Sequence, residues 1–131
     1  MPMSLRIVIV DDSAEFLRAA RILLEREGMT VVDSATTGAE ALHSAQEHDP
    51  DAVLLDVGLG DESGFDVAER LSRATGARTR VILISARAEE DLGDLLEVSP
   101  AIGFVLKSRL SASAIMELLD GTGPASVPQG T

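Results

Sequence analysis

Hydrophobic positions along the chain fall into two alternating patterns: short unbroken blocks and longer, regularly spaced stripes. The blocks are Leu5–Val10 (LRIVIV), Thr30–Ala35, Ala52–Asp56, Arg80–Ser85 (RVILIS) and Ala101–Leu106 (AIGFVL). A short, continuously apolar run bounded by turn residues reads as a strand buried on both faces. The stripes follow helical spacing. Ser13–Glu27 carries Phe16, Leu17, Ala20, Leu23 and Leu24, with Asp12 or Ser13 to cap its start and Gly28 to end it. Thr37–His48 turns Ala41, Leu42 and Ala45 inward and stops before Pro50, and Gly64–Ala74 does the same with Val67, Ala68 and Leu71. Glu89–Val98 offers Leu92, Leu95 and Leu96 around an interior Gly93, and Ser111–Leu119 is capped by Ser111 and closed by Gly121.

Five strands alternating with five helices through short connections predict an α/β fold: a doubly wound, five-stranded parallel sheet with helices on both faces. With right-handed crossovers, a sheet of this size is expected in the order 2-1-3-4-5. Residues 1–121 form this domain. Residues 122–131 (TGPASVPQGT) have no hydrophobic period and predict a flexible tail or linker.

Composition narrows the function. Aromatics are only 2% against 45% hydrophobic residues, so the core is aliphatic. Eleven Lys and Arg against 22 Asp and Glu leave a formal net charge of −11. A surface this acidic is repelled by a phosphate backbone, so no direct nucleic-acid binding by this chain is expected. There is no cysteine for a disulfide framework or a thiolate metal site. Met1-Pro2-Met3-Ser4 leads into a strand with no signal-peptide hydrophobic region, and no apolar run is long enough to span a bilayer. The expected setting is cytoplasmic, without a membrane partner.

In the predicted strand order Asp11, Asp12, Asp56, Ser85 and Lys107 each fall at or just beyond the C-terminal end of a strand, and hence at one rim. Three carboxylates brought together repel, and a hard divalent cation relieves them; Mg²⁺ favours one or two carboxylates plus water and phosphate oxygens. Lys107 adds a point charge suited to phosphate, and Ser85 a hydroxyl donor. Such a site stabilises charge on a transferring phosphoryl group, with Asp56 as the nucleophile. Taken singly the residues have plainer readings: Asp11-Asp12-Ser13 as a helix cap, Asp56 as a loop acid, Ser85 as a turn residue, Lys107 as a solvated charge.

The set resembles the receiver domain of bacterial two-component response regulators. The matching features are Asp11-Asp12 after IVIV, Asp56 in VLLDVGLGDESGFD, Ser85 in VILIS and Lys107 after GFVL, from about Leu5 to Leu119. GFVLKSRLS is similar to receivers of a transcription-regulator subfamily from high-GC bacteria. The resemblance implies that Asp56 accepts phosphate from a histidine kinase or phosphotransfer protein. It implies that Asp12 binds Mg²⁺ directly and Asp11 largely through water, with Asp56 and the Gly58 carbonyl completing the protein ligands. The same resemblance implies that Ser85 and Lys107 contact the phosphoryl oxygens. It further implies that Ser85 and Phe104 form a switch that changes the surface of helix 4, strand 5 and helix 5. The expected partners are such a kinase, a second copy on phosphorylation, and a downstream protein effector or C-terminal output domain.

Three positions depart from the family pattern. Ser108 stands where a cis proline usually follows the lysine, so a trans Lys107–Ser108 bond is expected. Gly60 replaces the usual proline of the loop after Asp56, predicting a more mobile loop. Phe104 has no hydroxyl to donate. Two rival readings differ in class. A phosphorylation-independent interaction module of the same fold would not need all five site residues. A Mg²⁺-dependent phosphohydrolase would carry a second acid two residues beyond its nucleophile, where this chain has Gly58.

Overall fold

The computed structural model describes residues 4–76, 78–87 and 92–121. The elements run β1 (Arg6–Val10), α1 (Ala14–Arg26), β2 (Thr30–Ala35), α2 (Gly38–His48), β3 (Ala52–Asp56), β4 (Gly58–Leu59), β5 (Glu62–Ser63), α3 (Gly64–Thr75), β6 (Arg80–Ser85), α4 (Asp94–Val98), β7 (Gly103–Leu106) and α5 (Ala112–Leu119). The main sheet has the order β2-β1-β3-β6-β7, all pairs parallel. This is the predicted 2-1-3-4-5 order, because β4 and β5 pair only with each other.

Alternation along the strands splits the core into two layers. Ile7, Ile9, Leu54, Ile82 and Ile84 pack with Ala20 and Leu24 of α1 and Ile115 and Leu118 of α5. Val8, Val10, Val53, Leu55, Val81 and Leu83 pack with Ala41 and Ala45 of α2 and Val67, Ala68 and Leu71 of α3. The central strand residues of both layers are fully buried, and no aromatic is among them. Four N-caps are side chains at the residue before the helix: Ser13, Thr37, Ser63 and Ser111 each accept a backbone N–H of the first turn. Such a cap is worth about 1 kcal/mol. The edge strand β2 carries a bulge, Ile7 pairing with Val31 and Val8 with Asp33, so Val32 is skipped.

Two expectations are corrected. The helix read over Glu89–Val98 is a five-residue helix, Asp94–Val98; residues 88–91 lie outside the described residues. Gly93 is not inside it but immediately before it, at φ 52° and ψ −133°, a conformation that only glycine adopts readily and that no helix can run through. Gly58–Leu59 and Glu62–Ser63 form a two-residue antiparallel ladder around a turn at Gly60-Asp61. The fifth strand is also shorter than read, starting at Gly103 rather than Ala101.

Candidate functional site

The C-terminal ends of β1 and β3 are neighbours in the sheet, and each delivers acids to the same rim. Asp11 follows β1 directly; its N–H donates to the Ala35 carbonyl at 3.0 Å, continuing the ladder to β2. One carboxylate oxygen, Oδ1, accepts the Ser13 N–H at 2.8 Å, which makes Asp11 part of the turn into α1. Asp12 is exposed, and Asp56 ends β3 with only 8% of its surface accessible. The three carboxylates each offer an oxygen within 4.8 Å of the others.

Lys107 arrives from β7. The Lys107–Ser108 bond is trans, as expected, since the described residues contain no cis peptide. Residues Lys107–Arg109 form one 3-10 turn after the strand. The ammonium lies 2.6 Å from Asp11 Oδ2 and 3.7 Å from Asp56 Oδ1. The shorter contact is an ion pair that covers Asp11 Oδ2, an oxygen buried from solvent that accepts no other hydrogen bond. The Phe16 ring lies beneath the ammonium, 4.5 Å from Nζ to the centroid.

Burial pushes the Asp56 carboxyl up to about 6, and the negative charge of Asp11 pushes in the same direction. Lys107 opposes this, Asp12 adds to it, and a hydrogen bond from the Gly58 N–H opposes it again. Asp56 is therefore mostly ionised at neutral pH, yet held at a cost. Three converging carboxylates, two of them buried, that share a single ammonium suit a hard divalent cation of the Mg²⁺ kind.

Ser85 ends β6, the other neighbour of β3, and is buried. Its Oγ accepts the Arg87 N–H at 3.0 Å, leaving the hydroxyl proton to donate. Phe104 lies on β7 opposite Leu83 and is half-buried beside a cavity of about 190 Å³ that Leu96, Glu97 and Ile102 also line. The structure thus brings Asp11, Asp12, Asp56 and Lys107 into one cluster. Gly58 touches it through its N–H, and Ser85 and Phe104 stand on the flanking strands.

Three contributors were not singled out from the sequence. Phe16 reads as an ordinary core position of its helix, although its place four residues after Asp12 puts it on the first turn facing the rim. Gly64 follows from close packing: a Cβ there would overlap the Asp56 carbonyl oxygen and come within 2.7 Å of Val57 Cα. Glu62 holds the β4–β5 ladder to α2, accepting the Gly38 N–H at 2.7 Å and pairing with Arg70 at 3.3 Å.

The family model of the response regulator receiver domain matches residues 7–120. KdpE, a transcriptional regulatory protein of Mycobacterium tuberculosis, is 46% identical over 83 residues, covering 63% of this chain and 35% of KdpE. The chemotaxis protein CheY of Bacillus subtilis is 28% identical over 120 residues, 92% of this chain and 98% of CheY. The receiver domain of the response regulator NarL from Mycobacterium tuberculosis superposes with a TM-score of 0.79 at 32% identity, over 92% of this chain and 99% of that domain. The chain spans about half or less of the length of the curated transcriptional regulators it matches.

Proposed function

This chain belongs to the response regulator receiver domain family; from that premise we propose that it is a phosphoacceptor signalling switch, that Asp56 is the phosphorylated residue and that the acid pair and Lys107 make its phosphorylation possible. The observation that carries the reading is the convergence of Asp11, Asp12 and Asp56 with the Lys107 ammonium at a single strand-end rim.

An ionised Asp56 oxygen attacks the phosphorus of a phosphohistidine on a histidine kinase or phosphotransfer protein. The P–N bond breaks as the P–O bond forms, and the histidine leaves with the P–N electron pair. Asp11, Asp12 and Asp56, with the Gly58 carbonyl, would hold a Mg²⁺ ion, which supplies positive charge to the phosphoryl oxygens. Lys107 meets one of those oxygens, exchanging part of its contact with the carboxylates for the incoming anion. Ser85 donates its free hydroxyl proton to another. Its Oγ already anchors the Arg87 N–H, so moving Ser85 pulls on the loop after β6. Phe104 stands one strand further out, beside α4, and turns inward as that loop shifts. Water later attacks the acyl phosphate and returns the Asp56 carboxylate and inorganic phosphate, so the only catalysis is on the protein's own aspartate.

The switched surface of α4, β7 and α5 then meets a second copy, a downstream effector or an output domain. The receiver unit is residues 1–121, with 122–131 as tail or linker, acting in the cytoplasm. No helix among the described residues is long and apolar enough to cross a membrane. The test is incubation with a small phosphodonor and Mg²⁺, read by intact mass. A phosphate-sized gain, absent in Asp56→Asn and without Mg²⁺, supports the reading. No gain with any donor would point to the phosphorylation-independent module instead.

A further inference from the structure

The Asp11 carboxylate is the start and end of a closed circuit of contacts. Its Oδ1 accepts the Ser13 N–H at 2.8 Å. Ser13 Oγ accepts the Phe16 N–H at 3.2 Å, which fixes the first turn of α1. The Phe16 ring then carries the Lys107 ammonium 4.5 Å from its centroid, and that ammonium returns to Asp11 through Oδ2 at 2.6 Å. The Lys107 side chain is only 22% exposed, so its charge has given up much of its water. An aromatic face replaces part of that hydration, while a long flexible side chain with one anion on each side would otherwise wander.

From this circuit we infer that Phe16 is a positioning residue for Lys107, its ring face holding the ammonium between Asp11 and Asp56. The inference rests on the reading of Lys107 as the phosphoryl-contacting cation. Phe16 does not touch the reacting atoms. It limits where the ammonium can sit, and does so through the electrostatics of the ring as well as its volume. Phe16 also packs at the margin of the core, so a simple truncation would mix positioning with stability. Nearly isosteric ring fluorination separates the two, because it drains negative charge from the ring face while keeping its shape.

The test replaces Phe16 by mono-, di-, tri- and pentafluorophenylalanine, with Phe16→Leu as the end point, in the full chain. The rate of phosphorylation by a small acyl phosphate with Mg²⁺ is expected to fall stepwise with fluorine content. The loss should reach roughly 3- to 30-fold at the pentafluoro ring and in Phe16→Leu. Lys107 is the only lysine of the chain, so carbon-13-lysine labelling reports it alone. Its Hε protons are expected upfield in the unmodified protein and near the free-lysine position in Phe16→Leu. A rate that stays level along the fluorinated series overturns the inference, as does a Lys107 signal with no upfield shift. If the unmodified protein takes no phosphate at all, the proposed function fails instead, and the Lys107 shift still decides whether Phe16 holds the ammonium.

Discussion

Asp56→Asn should make the protein more stable, and the gain should depend on pH. In the folded chain the Asp56 carboxyl titrates at about 6 against an ordinary 3.8. The folded state therefore binds this proton more tightly than the unfolded state does. Below the ordinary value both states are protonated and the site costs nothing. Between the two values the unfolded chain ionises first, and stability falls as pH rises; above about 6 the loss is complete. Linkage from these two values gives a penalty of roughly 1–2 kcal/mol at pH ~5 and roughly 3 kcal/mol at pH ~8. Asparagine keeps an oxygen for the Gly58 N–H and removes the charge that faces Asp11 and Asp12. It also loses the 3.7 Å attraction to Lys107, which is already counted within the shifted value. The expected result is a variant more stable than the parent at both pH values without divalent ions, with an advantage that grows by roughly 1 kcal/mol between them. Urea unfolding followed by far-ultraviolet circular dichroism measures it in a chain without Trp or Tyr. A variant no more stable than the parent at pH ~8, or a gain that does not grow with pH, refutes the claim that Asp56 is held ionised against burial and its neighbours.

Three other changes probe the surroundings. Gly64→Ala forces a Cβ onto the Asp56 carbonyl and the Val57 backbone; it is expected to cost about 1–3 kcal/mol in urea unfolding and to slow phosphorylation of Asp56. Lys107→Gln removes the one cation that contacts the acid cluster among the described residues, so titration calorimetry should show Mg²⁺ bound more tightly, by at least about tenfold, since even at the dielectric of water a unit charge a few ångströms from a divalent ion is worth roughly that much, while phosphorylation slows. Glu62→Ala frees the Gly38 N–H and Arg70 together; a loss of about 1–2 kcal/mol is expected, with faster hydrogen exchange in residues 58–63 than in β3.

The sheet was legible from its three central strands, which are buried almost throughout and therefore read as unbroken aliphatic blocks. From Val8 to Val10 and from Val53 to Leu55 neither face ever sees water, and the sequence has no reason to alternate. The rim acids were legible for a related reason: a charge ending such a block can only be explained by what it meets beyond the sheet. What escaped was set by geometry that leaves no periodic trace. Gly93 in a window of leucines looks like a weak helix interior, whereas its backbone lies at φ 52° and the helix begins after it. The β4–β5 ladder is two residues per strand, too short to impose a pattern. Gly64 needs its bare Cα because of a carbonyl eight residues earlier, and Phe16 meets Lys107 across 91 positions of sequence. Contacts of that kind exist only once the sheet has placed both ends.

The rim acids oppose folding, and the same opposition gives the site its affinity. About 3 kcal/mol is held at Asp56 at neutral to alkaline pH because a buried carboxylate faces other carboxylates. Any cation that relieves this gains what the fold has already lost, so the strain reappears as binding energy in favour of the neutralised state. Lys107 relieves only part of it, since its closest contact is with Asp11 rather than Asp56. A lysine bound tightly to Asp56 would have quenched both the repulsion and the nucleophile. Holding the ammonium nearer to Asp11, with an aromatic ring beneath it, leaves Asp56 ionised at neutral pH and only partly compensated. The two aliphatic layers on either side of β3 are what tolerate this: their fully buried strands anchor the backbone of Asp56 on both flanks, so the cluster cannot relax by letting the acids drift apart. The stability of the core and the reactivity of its rim are in this sense one property, and a change that loosened β3 should lower the Asp56 titration point while it slowed phosphorylation.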